Sequence, residues 1–535
     1  MLTILDHQEF SRQIRSLCQH RTITIILSAL LSATLVYCSF PPLDMGWLAW
    51  FALVPLMLPL VKLSPRTSFL TGLFFGMAFL LSCFYWIFNV PGFRFYHAVF
   101  LCLYFSLYPA LWCMISANIL KKCPHFPWPI FAASLWVVLD YLKAHAGFLA
   151  LPWNTLDLSQ HRDILLLQLA AITGGYGITF IIVLVNAAIT QMIRYRLFGP
   201  GRIAIVFVLL IHAWGLLVCR QPQDGQPVKV AVIQPSILLS ERETAHGREA
   251  ARNRLASLSS QAAARGAQLA VWPETAILQL PHQEKKIQWV QHLSQKTNMA
   301  ILSGASVFEK FQRPPAPGRE NGRHHPYQVF NSAFLVDRYG VVSAPYHKQR
   351  LVPFGEYLPL QPLIHWPQWL VKEPLPLTAG KAAAFFSLSS HMLISPVICW
   401  ENQFADLVRA MAGGGAGMLV QISNDNHFGR SAAAYQHNLA SVMRAVENRT
   451  PVLISSNTGP SEIIDAQGRV VASTDEQFRP GLSFAEVVPR YHGQTFYTSY
   501  GDIFIWLCGL VVLLIGAAAD RVMVTERLNI PVRFR

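Results

Sequence analysis

Residues 393–402 read Leu393-Ile394-Ser395-Pro396-Val397-Ile398-Cys399-Trp400-Glu401-Asn402. The run up to Ile398 is short and apolar, the pattern of a buried strand, and a cysteine stands at its exit. A residue in that position keeps a fixed backbone while its side chain faces a pocket. Working outward, Val228–Gln234, Gln268–Trp272, Met299–Ser303, Val329–Val336, Met392–Cys399, Met418–Ser423 and Pro451–Ser456 repeat the short apolar pattern. Helical stretches such as Arg242–Ala264 and Ala432–Asn448 lie between some of them. Asp465-Ala466-Gln467-Gly468 reads as a hairpin turn between Ser461–Ile464 and Arg469–Ala472. Strands alternating with helices predict an α/β domain with a mostly buried sheet, from about Val228 to Arg490.

The rest of the chain has a different character. The 535 residues are 53% hydrophobic and 13% charged, where soluble domains carry about 25% charged residues. The mean hydropathy is +0.34. These values exclude disordered, fibrous and collagenous classes. Apolar runs fall near residues 22–39, 46–62, 67–90, 97–120, 127–142, 164–192, 203–219 and 503–519. A bilayer core needs about 20 apolar residues, with about 17 tolerated, so the pattern predicts a bundle of about eight membrane helices. The fifth run is the weakest, because Asp140 and Lys143 close it. The first has no small-residue cleavage site, and bulky Tyr37 before Cys38 argues against lipoprotein processing, so it reads as a retained anchor.

The net charge of +14 is explained by where the basic residues lie. With the N-terminus inside, the inside segments hold Arg12, Arg15 and Arg21; Lys62 and Arg66; Lys121 and Lys122; Arg194, Arg196 and Arg202; and the tail Arg521, Arg527, Arg533 and Arg535. The outside connections hold Arg94, Lys143 and Arg162. This asymmetry puts both termini in the cytoplasm and the α/β domain outside, without any need for nucleic acid. The expected organisation is a membrane domain over 1–222, a catalytic domain over 226–492, a helix over 500–520 and a basic tail over 521–535.

Eight of the nine cysteines lie in the membrane half or its flanks, and Cys399 stands alone in the α/β domain. A lone cysteine outside the cell membrane cannot pair within its domain. It is either a buried inert thiol or a nucleophile. Two further strings carry chemistry. Leu269-Ala270-Val271-Trp272-Pro273-Glu274-Thr275 places a carboxylate at a strand exit. Tyr346-His347-Lys348-Gln349-Arg350-Leu351-Val352-Pro353-Phe354-Gly355-Glu356 places a lysine and a glutamate around a Pro/Gly turn. Each alone also reads as a turn carboxylate, a surface charge or an ion pair. No spaced metal-ligand set is visible, the Gly322-Arg323-His324-His325 stretch being a polar loop, and Gly413-Gly414-Gly415 lacks the Lys-Ser/Thr of a phosphate loop.

In these strings the chain resembles the nitrilase superfamily, which uses a Glu-Lys-Cys triad, and more closely its membrane-embedded branch, the bacterial apolipoprotein N-acyltransferases. Phe40-Pro41-Pro42, Gly46-Trp47-Leu48-Ala49-Trp50, Leu151-Pro152-Trp153, Gly174-Gly175-Tyr176-Gly177, Ser423-Asn424-Asp425 and Arg444-Ala445-Val446-Glu447 extend the resemblance almost end to end. It implies an αββα sandwich on a helical membrane bundle, with Glu274 as general base, Cys399 as nucleophile and Lys348 as oxyanion stabiliser. Glu356, Trp400 and Glu401 are implied in support, the Trp400 N–H as a second oxyanion donor. The implied reaction moves an acyl chain from a phospholipid, through a cysteine thioester, to the N-terminal amine of a diacylglyceryl-cysteine apolipoprotein. It needs no metal or cofactor. The implied setting is the bilayer of a bacterial inner membrane, with a periplasmic catalytic domain on a monomer. The alternatives are a membrane-anchored amidase, with water as acceptor, and a lipid-binding paralogue. The chain departs from the family pattern at Trp400 (commonly Tyr), at His427 (commonly Trp), at Asp140 and Lys143, and in the segment Gln234 to Glu243. Those departures bear on acyl-chain and acceptor choice rather than on reaction class.

Overall fold

The computed structural model describes residues 22–122, 127–222, 224–280, 287–310, 327–361, 363–367, 369–371, 376–474, 476–491 and 493–527. Arg12, Arg15, Arg21, the loop Gly322-Arg323-His324-His325 and the tail residues Arg533 and Arg535 lie outside them.

In the membrane half, Pro65–Cys83, Phe95–Lys122, Gly175–Tyr195 and Gly199–Cys219 are helices long and apolar enough to cross a membrane. Thr22–Cys38, Gly46–Leu60, Ile164–Thr173 and Ile503–Ala519 are shorter apolar stretches, and Trp128–Ala144 is a helix of 17 residues. Helix Gly199–Cys219 exposes Ile203, Ile205, Val206, Phe207, Leu209, Leu210 and Leu217. A continuous apolar face of that kind belongs against lipid, not water. Three predicted runs are divided. The second, 46–62, is a 3-10 turn Gly46–Trp50 followed by a separate helix Val54–Leu60. The third ends as an α-helix at Cys83 and continues as a 3-10 turn, Tyr85–Asn89. The sixth breaks at Gly174, whose φ of +65° is left-handed. There the chain makes a close contact: a Cβ on Gly175 would lie 2.2 Å from Asp157 Oδ2.

The α/β domain contains thirteen strands among the described residues: β1 Val228–Gln234, β2 Leu269–Val271, β3 Ile277–Leu280, β4 Ala300–Lys310, β5 Tyr327–Val336, β6 Tyr346–His347, β7 Phe386–Ser389, β8 Met392–Ile398, β9 Met418–Ser423, β10 Val452–Ser456, β11 Glu462–Ile464, β12 Val470–Ser473 and β13 Gly481–Val487. They form two sheets. One runs β13-β1-β2-β4-β5-β6, with β3 beside β4, and the other runs β12-β11-β10-β9-β8-β7. Their apolar inner faces meet, and Ser455 Oγ donates to the Ile233 carbonyl across the gap at 2.8 Å. Helices Ala245–Ala264 and Gln288–Thr297 cover the outer face of the first sheet, whose core includes Trp272, Ile301 and Phe334. Ala405–Gly413 and Ala433–Asn448 cover the second. This is the αββα sandwich on a helical base.

The two halves meet in a polar seam. The Gln436 carbonyl accepts from Trp86 Nε1 (3.1 Å), Trp153 Nε1 (3.4 Å) and Asn154 Nδ2 (3.4 Å), and its amide donates to the Pro41 carbonyl (2.9 Å). Glu447 accepts the Gly175 N–H at 2.9 Å and pairs with Arg444. The Pro41, Trp153, Gly175 and Glu447 strings of the sequence therefore join the membrane half to the sandwich.

Candidate active site

The strand exits of both sheets converge. Glu274 follows β2, where the Trp272 N–H still bonds the Leu302 carbonyl of β4 at 2.8 Å and Pro273 ends the ladder. Beneath it, a Cβ on Gly304 of β4 would lie 2.7 Å from the Glu274 Cα. Lys348 follows β6, with its N–H on the Asn331 carbonyl of β5 at 2.8 Å. Cys399 leaves β8, in the opposite sheet, with φ +55°, and Thr275 after the glutamate has φ +50°. A non-glycine residue in the left-handed region costs of order 1–3 kcal/mol, and such strain clusters where a side chain must be aimed. Helix periodicity or strand alternation cannot foretell it.

Lys348 is fully buried, 2.7 Å from Glu356 Oε1 and 4.0 Å from Glu274 Oε1. Glu356 Oε2 accepts the Val352 N–H at 2.7 Å, which locks the Pro/Gly turn around the ammonium. Burial opposes the charge on Lys348, but Glu356, the Cys399 thiol and Glu274 more than offset it, so its pKa is raised. Burial pushes the Glu274 carboxyl up, and Glu356 adds to this, against the pull of Lys348 and Asn331. Burial and the charge of Glu274 push the Cys399 thiol well up, with Lys348 opposing. The surroundings thus favour the neutral thiol over the thiolate, strengthen Glu274 as a base, and set a fixed cation in the same electrostatic field.

Glu401 joins the pieces. Its fully buried carboxylate accepts the N–H groups of Ile398 (2.8 Å), Gln349 (2.7 Å) and Arg350 (3.0 Å), and the Tyr346 hydroxyl (3.0 Å). One side chain thus ties the cysteine's turn to the lysine's loop. Trp400 Nε1 donates to the Arg350 carbonyl at 2.5 Å, and its ring meets Phe404 edge-on, 5.0 Å between centroids.

All six residues singled out in the sequence, Glu274, Lys348, Glu356, Cys399, Trp400 and Glu401, come together here. Sequence reading singled out neither Asn331 nor His437, and quoted Asp425 without a role. Asn331 Nδ2 donates to Glu274 Oε1 at 2.6 Å while its backbone holds Lys348. Asp425 accepts from the hydroxyls of Ser423 (3.0 Å) and Ser456 (2.8 Å) and lies 3.1 Å from His437 Nδ1. Burial raises the Asp425 carboxyl, but these partners reverse the effect and leave its pKa lowered. The His437 carbonyl also accepts from Asn402 Nδ2 at 2.8 Å, and its ring stacks on Trp153 of the membrane half. The signal for Asn331 was a polar pair, Asn331-Ser332, inside an otherwise apolar strand, and for His437 a polar cluster, Gln436-His437-Asn438, inside a helix.

Comparison with known proteins matches both halves in order. Residues 32–188 fit the family model of the apolipoprotein N-acyltransferase N-terminal domain, and residues 229–496 fit that of the carbon-nitrogen hydrolases. The apolipoprotein N-acyltransferase of Geobacter metallireducens is 32% identical over 517 residues, 92% of this chain and 95% of its own. That of Gloeobacter violaceus is 30% identical over 94% of this chain and 95% of its own. Among solved structures, an amidase from Nesterenkonia sp. is similar over 50% of this chain and 93% of its own, at 17% identity and a TM-score of 0.35. Matched in both halves and over nearly its whole length, the chain belongs to the apolipoprotein N-acyltransferase family.

Proposed function

We propose that this membrane acyltransferase takes an acyl chain from a phospholipid and delivers it to the N-terminal amine of a diacylglyceryl-cysteine apolipoprotein, with Glu274, Lys348 and Cys399 carrying the chemistry. Glu274 removes the Cys399 proton as sulfur attacks the ester carbonyl. Lys348 Nζ stabilises the oxyanion of the tetrahedral intermediate, a contribution of about 3–4 kcal/mol for a well-placed donor. The carbon–oxygen bond breaks, Glu274 returns the proton to the departing lysophospholipid, and a thioester remains. The acceptor's amine then attacks the thioester and loses its proton to Glu274. The carbon–sulfur bond breaks and Cys399 recovers its proton. The phospholipid ester is already activated, so neither metal nor nucleotide is required.

In this reading residues 1–222 are the membrane domain, 226–492 the catalytic domain, 500–520 a further anchor and 521–535 a cytoplasmic tail. The basic connections favour a periplasmic sandwich on an inner membrane. Holding the site against the bilayer avoids moving acyl chains into water, at about 0.8 kcal/mol per CH₂.

The observation that carries the reading is the convergence of a base, a buried ammonium and the sandwich's lone cysteine in a member of this family. The test is mass spectrometry of the full chain incubated with phospholipid and then chased with an apolipoprotein. Cys399 gains one acyl mass and loses it to the acceptor's amine, and Cys399→Ser gains none. An adduct elsewhere, or release of free acid only, refutes the assignment.

A further inference from the structure

Arg242 is half-buried beside the catalytic centre and takes no part in the chemistry above. It sits on the short helix Leu239–Glu243 that follows β1. Its Nη1 donates to the carbonyl (3.2 Å) and the hydroxyl (3.0 Å) of Thr275, the residue after Glu274. Its Nε and Nη2 are buried and have no hydrogen-bond partner among the described residues. The guanidinium lies close enough to Glu274 and to His427 for their charges to interact, yet it makes no ion pair within 4.0 Å of a carboxylate among the described residues.

Buried N–H groups without acceptors cost free energy, and more so on a cation. A guanidinium with one nitrogen fixed and two left open is a planar fork awaiting an oxyanion, and carboxylate and phosphate both fit it bidentately. The donor substrate carries such a group. In a phospholipid the phosphate is separated from the scissile ester by the glycerol backbone alone. When the ester lies on Cys399 with its proton acceptor Glu274 alongside, the phosphate must lie at the edge of the same site. Arg242 is hooked to the residue next to that glutamate. The acceptor's diacylglyceryl-cysteine end has no phosphate, so the subsite serves the first half-reaction.

We propose that Arg242 is the subsite that binds the phosphodiester of the donor lipid and sets the preference for a phospholipid over a neutral glyceride. This rests on the phospholipid reading above.

The test uses the full chain in detergent micelles and two donors with the same acyl chains, phosphatidylethanolamine and diacylglycerol. Single-turnover formation of the Cys399 adduct is followed by intact mass. Wild-type protein acylates faster from the phospholipid. In Arg242→Gln the ratio of phospholipid to diacylglycerol rates falls about ten- to a hundred-fold, the loss expected for a charge-assisted bidentate contact. Arg242→Lys keeps the charge without the fork and recovers part of the ratio. A thermal unfolding midpoint checks that each variant is folded. Equal slowing with both donors would mean that Arg242 only braces Thr275 and Glu274, and it overturns the inference. So does a wild-type protein that uses both donors equally. Wild-type protein that forms no adduct from phospholipid but does so from diacylglycerol removes the donor assignment itself, and the inference with it.

Discussion

Replacing Glu401 by glutamine tests whether the two sheets are held in catalytic register by one buried carboxylate. Oε1 accepts the Gln349 and Arg350 N–H groups at 2.7 and 3.0 Å, and Oε2 accepts the Ile398 N–H at 2.8 Å. An amide has one acceptor oxygen. If it stays toward Gln349 and Arg350, its NH₂ confronts the Ile398 N–H, donor against donor; flipped, it confronts the other two. At least one hydrogen bond to a charged acceptor is lost, worth about 1.5–3 kcal/mol, and a buried N–H is left unsatisfied at a further cost of about 1–3 kcal/mol. The site relaxes by moving the Cys399 turn away from the Lys348 loop. A misplacement of about 1 Å costs on the order of a hundred-fold in rate. The expected result is a lower midpoint of thermal unfolding together with a roughly hundred-fold slower formation of the Cys399 acyl adduct. A variant that acylates at the normal rate with an unchanged midpoint would refute the bracing argument, however close the atoms lie.

Three other outcomes are expected. Gly304→Ala should slow acylation strongly while leaving insertion into the membrane intact, because the new Cβ would lie 2.7 Å from the Glu274 Cα and Thr275 N and backbone must move; normal turnover would show that Glu274 needs no such close fit. Glu274 acts as a base only when ionised, and burial raises its pKa, so kcat/KM for the phospholipid should fall with decreasing pH at a higher pH than for an ordinary carboxylate; an acid limb at or below the usual carboxylate range contradicts this. Reporter fusions near Gln226 should report the periplasm and those at Arg196 the cytoplasm, and the reverse pattern would overturn the charge argument.

The apolar runs and the strand pattern were legible because both are local. β1 and β9 occupy the segments expected from the sequence, residue for residue, since a short, mostly buried strand shows as a mainly apolar run along the chain. The short edge strands β3, β6 and β7 were not legible: β6 has two residues and is held by its neighbour β5 rather than by its own composition. The division of the 164–192 run was hidden for a similar reason. Helix Gly175–Tyr195 starts where it does because Asp157 and Glu447, distant in sequence, close on Gly175.

The sequence by itself determined the two-part architecture, the charge asymmetry and the residue types of the site, because hydrophobic periodicity, basic connections and a lone cysteine at a strand exit are properties of neighbours along the chain. It also named Glu274, Lys348, Glu356, Cys399, Trp400 and Glu401. Only the tertiary structure decided how they cooperate. Glu274 and Lys348 come from one sheet and Cys399 from the other, so their electrostatic coupling exists only once the sheets face each other. Asn331, Asp425 and His437 enter for the same reason: a buried polar group acquires meaning from the partner that satisfies it, and that partner is supplied by folding, not by the adjacent sequence.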